Sequence, residues 1–192
     1  MACNLSAGRQ EVCKESIGGI QGVYFINYTT GSYQFTASGS YDTFESTAPA
    51  GLITKLPANS TLYYYQLKGN SNYTETVNSS RDNGTTFFSQ QLVLNLKKLT
   101  NEMSTQLKLM AYGRPQVILW TNNGDAFVAG LKLGMDVTAG TIQTGGGLGD
   151  LYGYSITFTG MEQYPAAWIS GSTTTTAIPT DVLNGSTIVY GA

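Results

Sequence analysis

Between residues 152 and 160 the chain reads YGYSITFTG, and Tyr152, Tyr154, Ile156 and Phe158 alternate with small or hydroxylated residues. A period of two sends alternate side chains to opposite faces of an extended strand, so this segment demands a sheet with one apolar and one polar face. Shorter runs of the same kind recur along the chain. Residues 20–28 (IQGVYFINY) form an aromatic and β-branched run expected to be a buried strand. Residues 52–56 and 61–68 (TLYYYQLK) are strands separated by the turn-forming Pro57, Ala58, Asn59 and Ser60. In the second of these, Tyr63 and Tyr65 share one face while Leu62 and Tyr64 share the other.

The strongest local signal is Asp82-Asn83-Gly84, whose Asn-Gly pair favours the positive φ angles of a hairpin turn. It joins residues 70–78 to residues 85–96 (TTFFSQQLVLNL), predicting an extended hairpin. In its second strand Phe88, Leu92, Leu94 and Leu96 fall on one side, with Ser89, Gln91 and Asn95 on the other. Beyond residue 115 the pattern predicts a meander: 116–121 (QVILWT), a turn at Asn122-Asn123-Gly124, then 126–133 and 136–143. Residues 29–50 read as a Gly, Ser and Thr-rich surface excursion with room for one strand.

One helix interrupts the strands, at residues 100–112. Leu99, Met103, Leu107 and Met110 recur at helical spacing, Thr100 or Asn101 can cap the start, and Gly113 with Pro115 ends it. The fold class expected is therefore mainly β with one helix. A single domain is expected over residues 1–170. Residues 171–192 are Ser/Thr-rich, end in the strand-like STIVY at 186–190, and are expected to form a tail or arm with little to pack against in its own chain.

Only 11% of the 192 residues are charged, against roughly 25% in soluble domains. A surface made chiefly of Ser, Thr, Asn, Gln and Gly suits a protein covered by neighbours better than a free monomer. The net charge of -2 provides no basic footprint for gripping a phosphate backbone. No apolar run approaches the roughly 18–20 residues that span a bilayer. Met1-Ala2-Cys3-Asn4 does not resemble a secretory leader, so the chain is expected to be made and folded in a cytoplasm, without a membrane partner.

Histidine is absent, which removes the commonest general base, the commonest metal ligand and every Ser-His or Cys-His nucleophile. The twelve Asp and Glu residues fall mostly at expected turns and element ends, so paired-carboxylate chemistry is not expected. An enzyme would need two acids close together in a cleft, one of them with a raised pKa. Gly145-Gly146-Gly147-Leu148-Gly149 lacks the Gly-Lys-Ser/Thr ending of a phosphate loop and precedes a strand where a helix N-terminus is required. It is expected to be a flexible tip or hinge. Cys3 and Cys13, with no histidine to join them, supply too few ligands for a closed zinc site and are read as reduced packing residues. No cofactor or metal is expected. The thirteen tyrosines admit two functional uses beyond ordinary packing: stacking on sugar rings, or anchoring a subunit interface.

The residues 108–113, 115–121, Gly130, 134–141 (GMDVTAGT), 145–149 and 153–160 (GYSITFTG), followed by Glu162 and Pro165, resemble the carboxy-terminal half of tail-tube-like virion proteins from phages of Bacteroidetes, including crAss-like phages. Cys13-Lys14, 16–20 (SIGGI) and Val23-Tyr24-Phe25 resemble the amino-terminal part of the same group. Together these segments cover about half of the chain. The resemblance implies a tail-tube-like fold, a β-sandwich or twisted antiparallel sheet with one helix on its side and an extended hairpin that reaches a neighbour, in a non-catalytic structural protein of a phage tail or neck whose copies, six or twelve to a ring, join sheets edge to edge around a channel for DNA. Its implied partners are copies of itself, other tail or neck proteins, and genomic DNA passing without sequence-specific contact, through a lining expected to be polar or acidic. The interface is expected at Tyr63, Tyr65, Tyr73, Phe87, Phe88, Gln90 and Leu92 around the hairpin, with Gly145, Gly146, Gly147 and Leu148 touching an adjoining ring. The alternative expectation is a tyrosine-rich β-sandwich that binds carbohydrate on a surface or virion.

Overall fold

A computed structural model describes Arg9, Lys14 and residues 16–29, 33–36 and 52–191. Cys3, Cys13 and most of the expected excursion, including Tyr41 and Phe44, lie outside the described residues. Among the described residues the chain is mainly β with a single helix. The elements are β1 (Ile20–Ile26), β2 (Gln34–Phe35), β3 (Ile53–Lys55), β4 (Thr61–Gln66), β5 (Asn72–Ser80), β6 (Thr85–Lys97), α1 (Asn101–Tyr112), β7 (Gln116–Thr121), β8 (Ala126–Ala129), β9 (Asp136–Gln143), β10 (Gly153–Glu162), β11 (Ala167–Trp168) and β12 (Thr187–Tyr190).

Two principal sheets form a sandwich. The first has six strands in the order β11-β8-β7-β1-β4-β12, and the second has four in the order β5-β6-β10-β9. Between them lies one core cluster, built from Val23 and Phe25 of β1, Val117 and Leu119 of β7, Leu92 and Leu94 of β6, and Tyr154, Ile156 and Phe158 of β10. The other face of the six-stranded sheet is covered too. There Tyr24, Ile26, Leu62, Ile118, Trp120 and Val128 meet Tyr33, Ile53 and Leu56 from the β2–β3 pair, and Ala177, Ile178 and Val182 from the carboxy-terminal segment. Burial on both faces explains why β1 and β7 read as near-continuous apolar runs, whereas β10, covered on one face only, alternates.

Gly22 interrupts the β1 run for a steric reason. The Tyr64 ring lies over it, and a Cβ there would sit 2.6 Å from Tyr64 Cε2. Tyr64 stacks between Tyr24 (4.7 Å between centroids) and Tyr190 (5.5 Å), a ladder joining three neighbouring strands.

Two expectations need correction. Residues 171–191 do not stand off as an arm: Ala177, Ile178 and Val182 are buried, the Trp120 indole N–H donates to the Thr173 carbonyl at 2.9 Å, and β12 lies beside β4. That last pairing is parallel, so the six-stranded sheet is mixed rather than purely antiparallel. The segment expected as one strand from 126 to 133 stops at Ala129, because Gly130 turns the chain at φ 64.

The helix begins where expected. Thr100 is its N-cap and its side chain accepts from the Met103 N–H, while Glu102 sits in the first turn. Leu99, Met103, Leu107 and Met110 pack against the inter-sheet core and so close one side of the sandwich. Tyr154 fixes that end: its hydroxyl donates to the Thr100 carbonyl at 3.0 Å and lies 2.9 Å from the Ser104 hydroxyl. No helix among the described residues is long and apolar enough to cross a membrane.

Candidate functional site

The four-stranded sheet leaves two edges open. Among the described residues, β5 and β9 pair only with β6 and β10 respectively, so nine residues of one strand and eight of the other present their outer backbone groups. Neither strand contains Lys, Arg or Pro, the residues that commonly guard an exposed edge. A bulge between Thr157 and Phe158 in the β10 pairing with β9 is the one local irregularity along these ladders.

The hairpin overhangs the sandwich. β10 ends at Glu162, opposite Phe88, so the pairs Asn78–Phe87, Ser79–Thr86 and Ser80–Thr85 have no third strand beside them. With the turn Arg81–Gly84, that is a reach of about 10 Å or more beyond the sheet. Val77 and Phe87 near this end are exposed.

The outward face of the same sheet is mostly polar, with Phe87, Val93 and Met161 as apolar members, and within these strands its charges are Lys97 and Asp136. Register places Thr74 and Thr76 of β5, Ser89 and Gln91 of β6, Ser155, Thr157 and Thr159 of β10, and Ala139 and Thr141 of β9 on the side away from the inter-sheet core. Lys97 and Asp136 lie at the ends of β6 and β9.

The residues expected at an interface separate into three groups. Leu92 is fully buried between the sheets and Gln90 is 1% exposed, so neither can contact a neighbour. The alternation assigns Leu92 to the packed face, but the partner on that face is this chain's own six-stranded sheet. Tyr65, Tyr73 and Phe88 are half-buried, and Tyr63 and Phe87 are exposed. Gly145, Gly146, Gly147 and Leu148 are all exposed.

The glycine loop is closed rather than a slack tip. Asp150 Oδ2 accepts the N–H groups of Gly146 (2.9 Å) and Gly147 (2.7 Å), and the Asp150 N–H donates to the Gly147 carbonyl at 3.2 Å. These backbone bonds hold the Asp150 carboxyl below the usual carboxylate range. Gly145 supplies the left-handed turn, at φ 72. The loop thereby presents Leu148 outward with its side chain fully in solvent.

No protein-family model, curated protein or solved structure matches this chain.

Two features were not legible in the sequence. The first is a polar cluster at the root of the hairpin. Gln90 Nε2 donates to Glu75 Oε1 at 2.9 Å, its Oε1 accepts the Gly130 N–H at 2.8 Å, and Glu75 Oε1 also accepts the Ala166 N–H at 3.0 Å. Nearby, Glu162 Oε1 accepts from Lys132 N (2.9 Å) and Leu133 N (2.8 Å), and burial raises its pKa against those two bonds. Both carboxylates bear on the buried Tyr73 hydroxyl, which has no hydrogen-bond partner among the described residues and whose pKa burial pushes up. A raised acid near a second acid is the arrangement an enzyme would need. Here the cavity beside them is about 10 Å³, room for one water molecule rather than a substrate, and the carboxylates accept backbone N–H groups. The arrangement ties the hairpin root to the β8–β9 connection.

The second feature is a cleft of about 320 Å³ between the carboxy-terminal half of α1 and strands β1 and β4. Phe25, Tyr63, Tyr65, Leu109 and Met110 give it apolar walls, and Arg114 stands at its rim with its guanidinium 4.1 Å above the Tyr28 ring. The Tyr28 hydroxyl is in turn fixed on the Lys132 carbonyl at 2.8 Å.

Proposed function

We propose that this protein is a structural virion component of a tailed bacteriophage, whose copies join edge to edge into a ring of the tail or neck around the DNA path. The observation that carries this reading is the four-stranded sheet with two open edges. Because every neighbouring pair in it is antiparallel, β5 and β9 run in opposite directions. A neighbour related by rotation can then lay its β5 along β9 and continue the antiparallel alternation without a break. Such a joint is heterologous, and when the rotation closes no edge of the four-stranded sheet remains.

The outward face supports the same reading. Thr, Ser and Gln side chains predominate there and Lys97 is the one cation in these four strands, so the face offers a polyanion few counterion-releasing contacts. No turnover is assigned to the protein. The resemblance of residues 108–160 to tail-tube-like proteins points the same way.

The test is to place charge on one edge. Ala139→Lys with Thr141→Lys, both exposed on β9, should leave thermal stability within about 1 kcal/mol and abolish assembly, read as particle mass by light scattering. Rings that persist at wild-type size would exclude β9 as the joint.

Carbohydrate binding is supported by one observation. Trp168 is 50% exposed, with its ring 5.7 Å from Phe127, which continues to Tyr73 at 5.2 Å. A saturable change in Trp fluorescence with polysaccharide, lost in Trp168→Ala, would favour that reading.

A further inference from the structure

Leu148 and the Arg114 cleft lie toward opposite ends of β10. The glycine loop leads into Gly153 at the start of β10. Arg114 packs by the other end of that strand: a Cβ on Gly134 would meet the Arg114 carbonyl oxygen at 2.6 Å, and one on Gly160 would meet the Gly134 carbonyl oxygen at 3.1 Å. From Gly153 to Gly160 the strand advances about 23 Å. An exposed apolar knob on a closed loop therefore stands by one end of β10, and an apolar cleft by the other.

The charges match as well. Asp150, two residues from Leu148, commits Oδ2 to the loop backbone, and among the described residues Oδ1 takes no hydrogen bond. The cleft has its cation at the rim, held in place by stacking on Tyr28. Leu109, on the cleft wall, is 60% exposed, so the cleft has uncovered apolar surface to offer.

We propose that Leu148 of one copy inserts into the cleft bounded by Leu109, Tyr63 and Tyr65 of the next, with Asp150 set against Arg114, so that copies stack end to end. This rests on the self-assembly reading and adds an axial contact to the lateral one. The closed loop limits the conformational freedom lost on docking, and the two ends are different surfaces, so the contact repeats along an axis instead of closing a dimer.

The experiment is site-directed cross-linking in the full chain with Cys3→Ser and Cys13→Ser. Leu148→Cys is combined either with Leu109→Cys in the cleft or with Met161→Cys in the neighbouring groove of about 340 Å³ that Arg114 also borders. After mild oxidation, the Leu148→Cys/Leu109→Cys protein should give a ladder of disulfide-linked chains on a denaturing gel, and each single variant should not. Separately, Leu148→Ser should weaken stacking about twentyfold, the worth of one buried leucine, while leaving single rings and the melting temperature unchanged. A ladder with Met161→Cys instead, or stacked rings with no Leu109 ladder, overturns the contact and leaves the ring reading standing. A wild-type protein that stays monomeric at every concentration overturns both.

Discussion

At Leu92 the sequence gives the face but not its occupant. The alternation of β6 marks Leu92 and Leu94 as apolar-side residues, yet a strand pattern is the same whether that side meets a neighbour or the chain's own second sheet. The structure puts Leu92 at 0% exposure. Leu92→Ala should accordingly cost about 2–5 kcal/mol of folding stability in the isolated protein, measured by denaturant unfolding. A change below 1 kcal/mol would mean that Leu92 is not packed as described. Glu162 was legible only as an acid at the end of a strand, because its partners, the Lys132 and Leu133 N–H groups, come from a turn 29 and 30 residues away. Its folded-state pKa is raised, with burial the largest cause. Stability from this group is therefore fully present below the unfolded value near 4.5 and is lost as pH rises through the folded value. Glu162→Gln keeps the acceptor oxygen and removes the charge. Wild type and variant should melt alike at pH 4, and the variant should melt higher at pH 8; a wild type that melts higher at pH 8 would show the charged form to be preferred.

Elements were most legible where local chemistry decides them. The Asn83-Gly84 turn, the Thr100 cap and the alternation of β10 each need only neighbours in sequence, and each stands within two residues of its expected place. The carboxy-terminal segment was not legible for the opposite reason. Ala177, Ile178 and Val182 are thinly spread through a Ser/Thr-rich stretch, and their burial depends on Ile53, Leu56 and Trp120, more than fifty residues earlier. The glycine loop was misjudged on the same grounds: four glycines favour slackness, and one carboxylate, Asp150, opposes it by holding two of their N–H groups. Asp150→Asn should speed amide hydrogen exchange at Gly146 and Gly147 while leaving exchange in β9 and β10 unchanged. In the wild type the same acceleration should appear only as pH falls through the lowered Asp150 value, since that carboxylate's contribution is present above it. Exchange at both glycines equal to that of an unstructured peptide in the wild type would contradict the closed loop.

For the whole molecule, the features that bear on function concern what the chain leaves unfinished. Its six-stranded sheet is covered on both faces, while its four-stranded sheet is covered on one face and open along both edges. Low charge, long edges without Lys, Arg or Pro, and an overhanging hairpin are liabilities in a free monomer; in the proposed ring all three would be resolved together, and the outward face would become a continuous surface on one side of the closed sheet. The most direct measurement is electron microscopy of the purified wild-type protein across a concentration series, with native mass spectrometry to count subunits. The account expects closed rings with a central hole, of one fixed subunit number, whose formation is lost in the Ala139→Lys/Thr141→Lys variant; a monodisperse monomer throughout the series, or a two-fold dimer that grows no further, would contradict it.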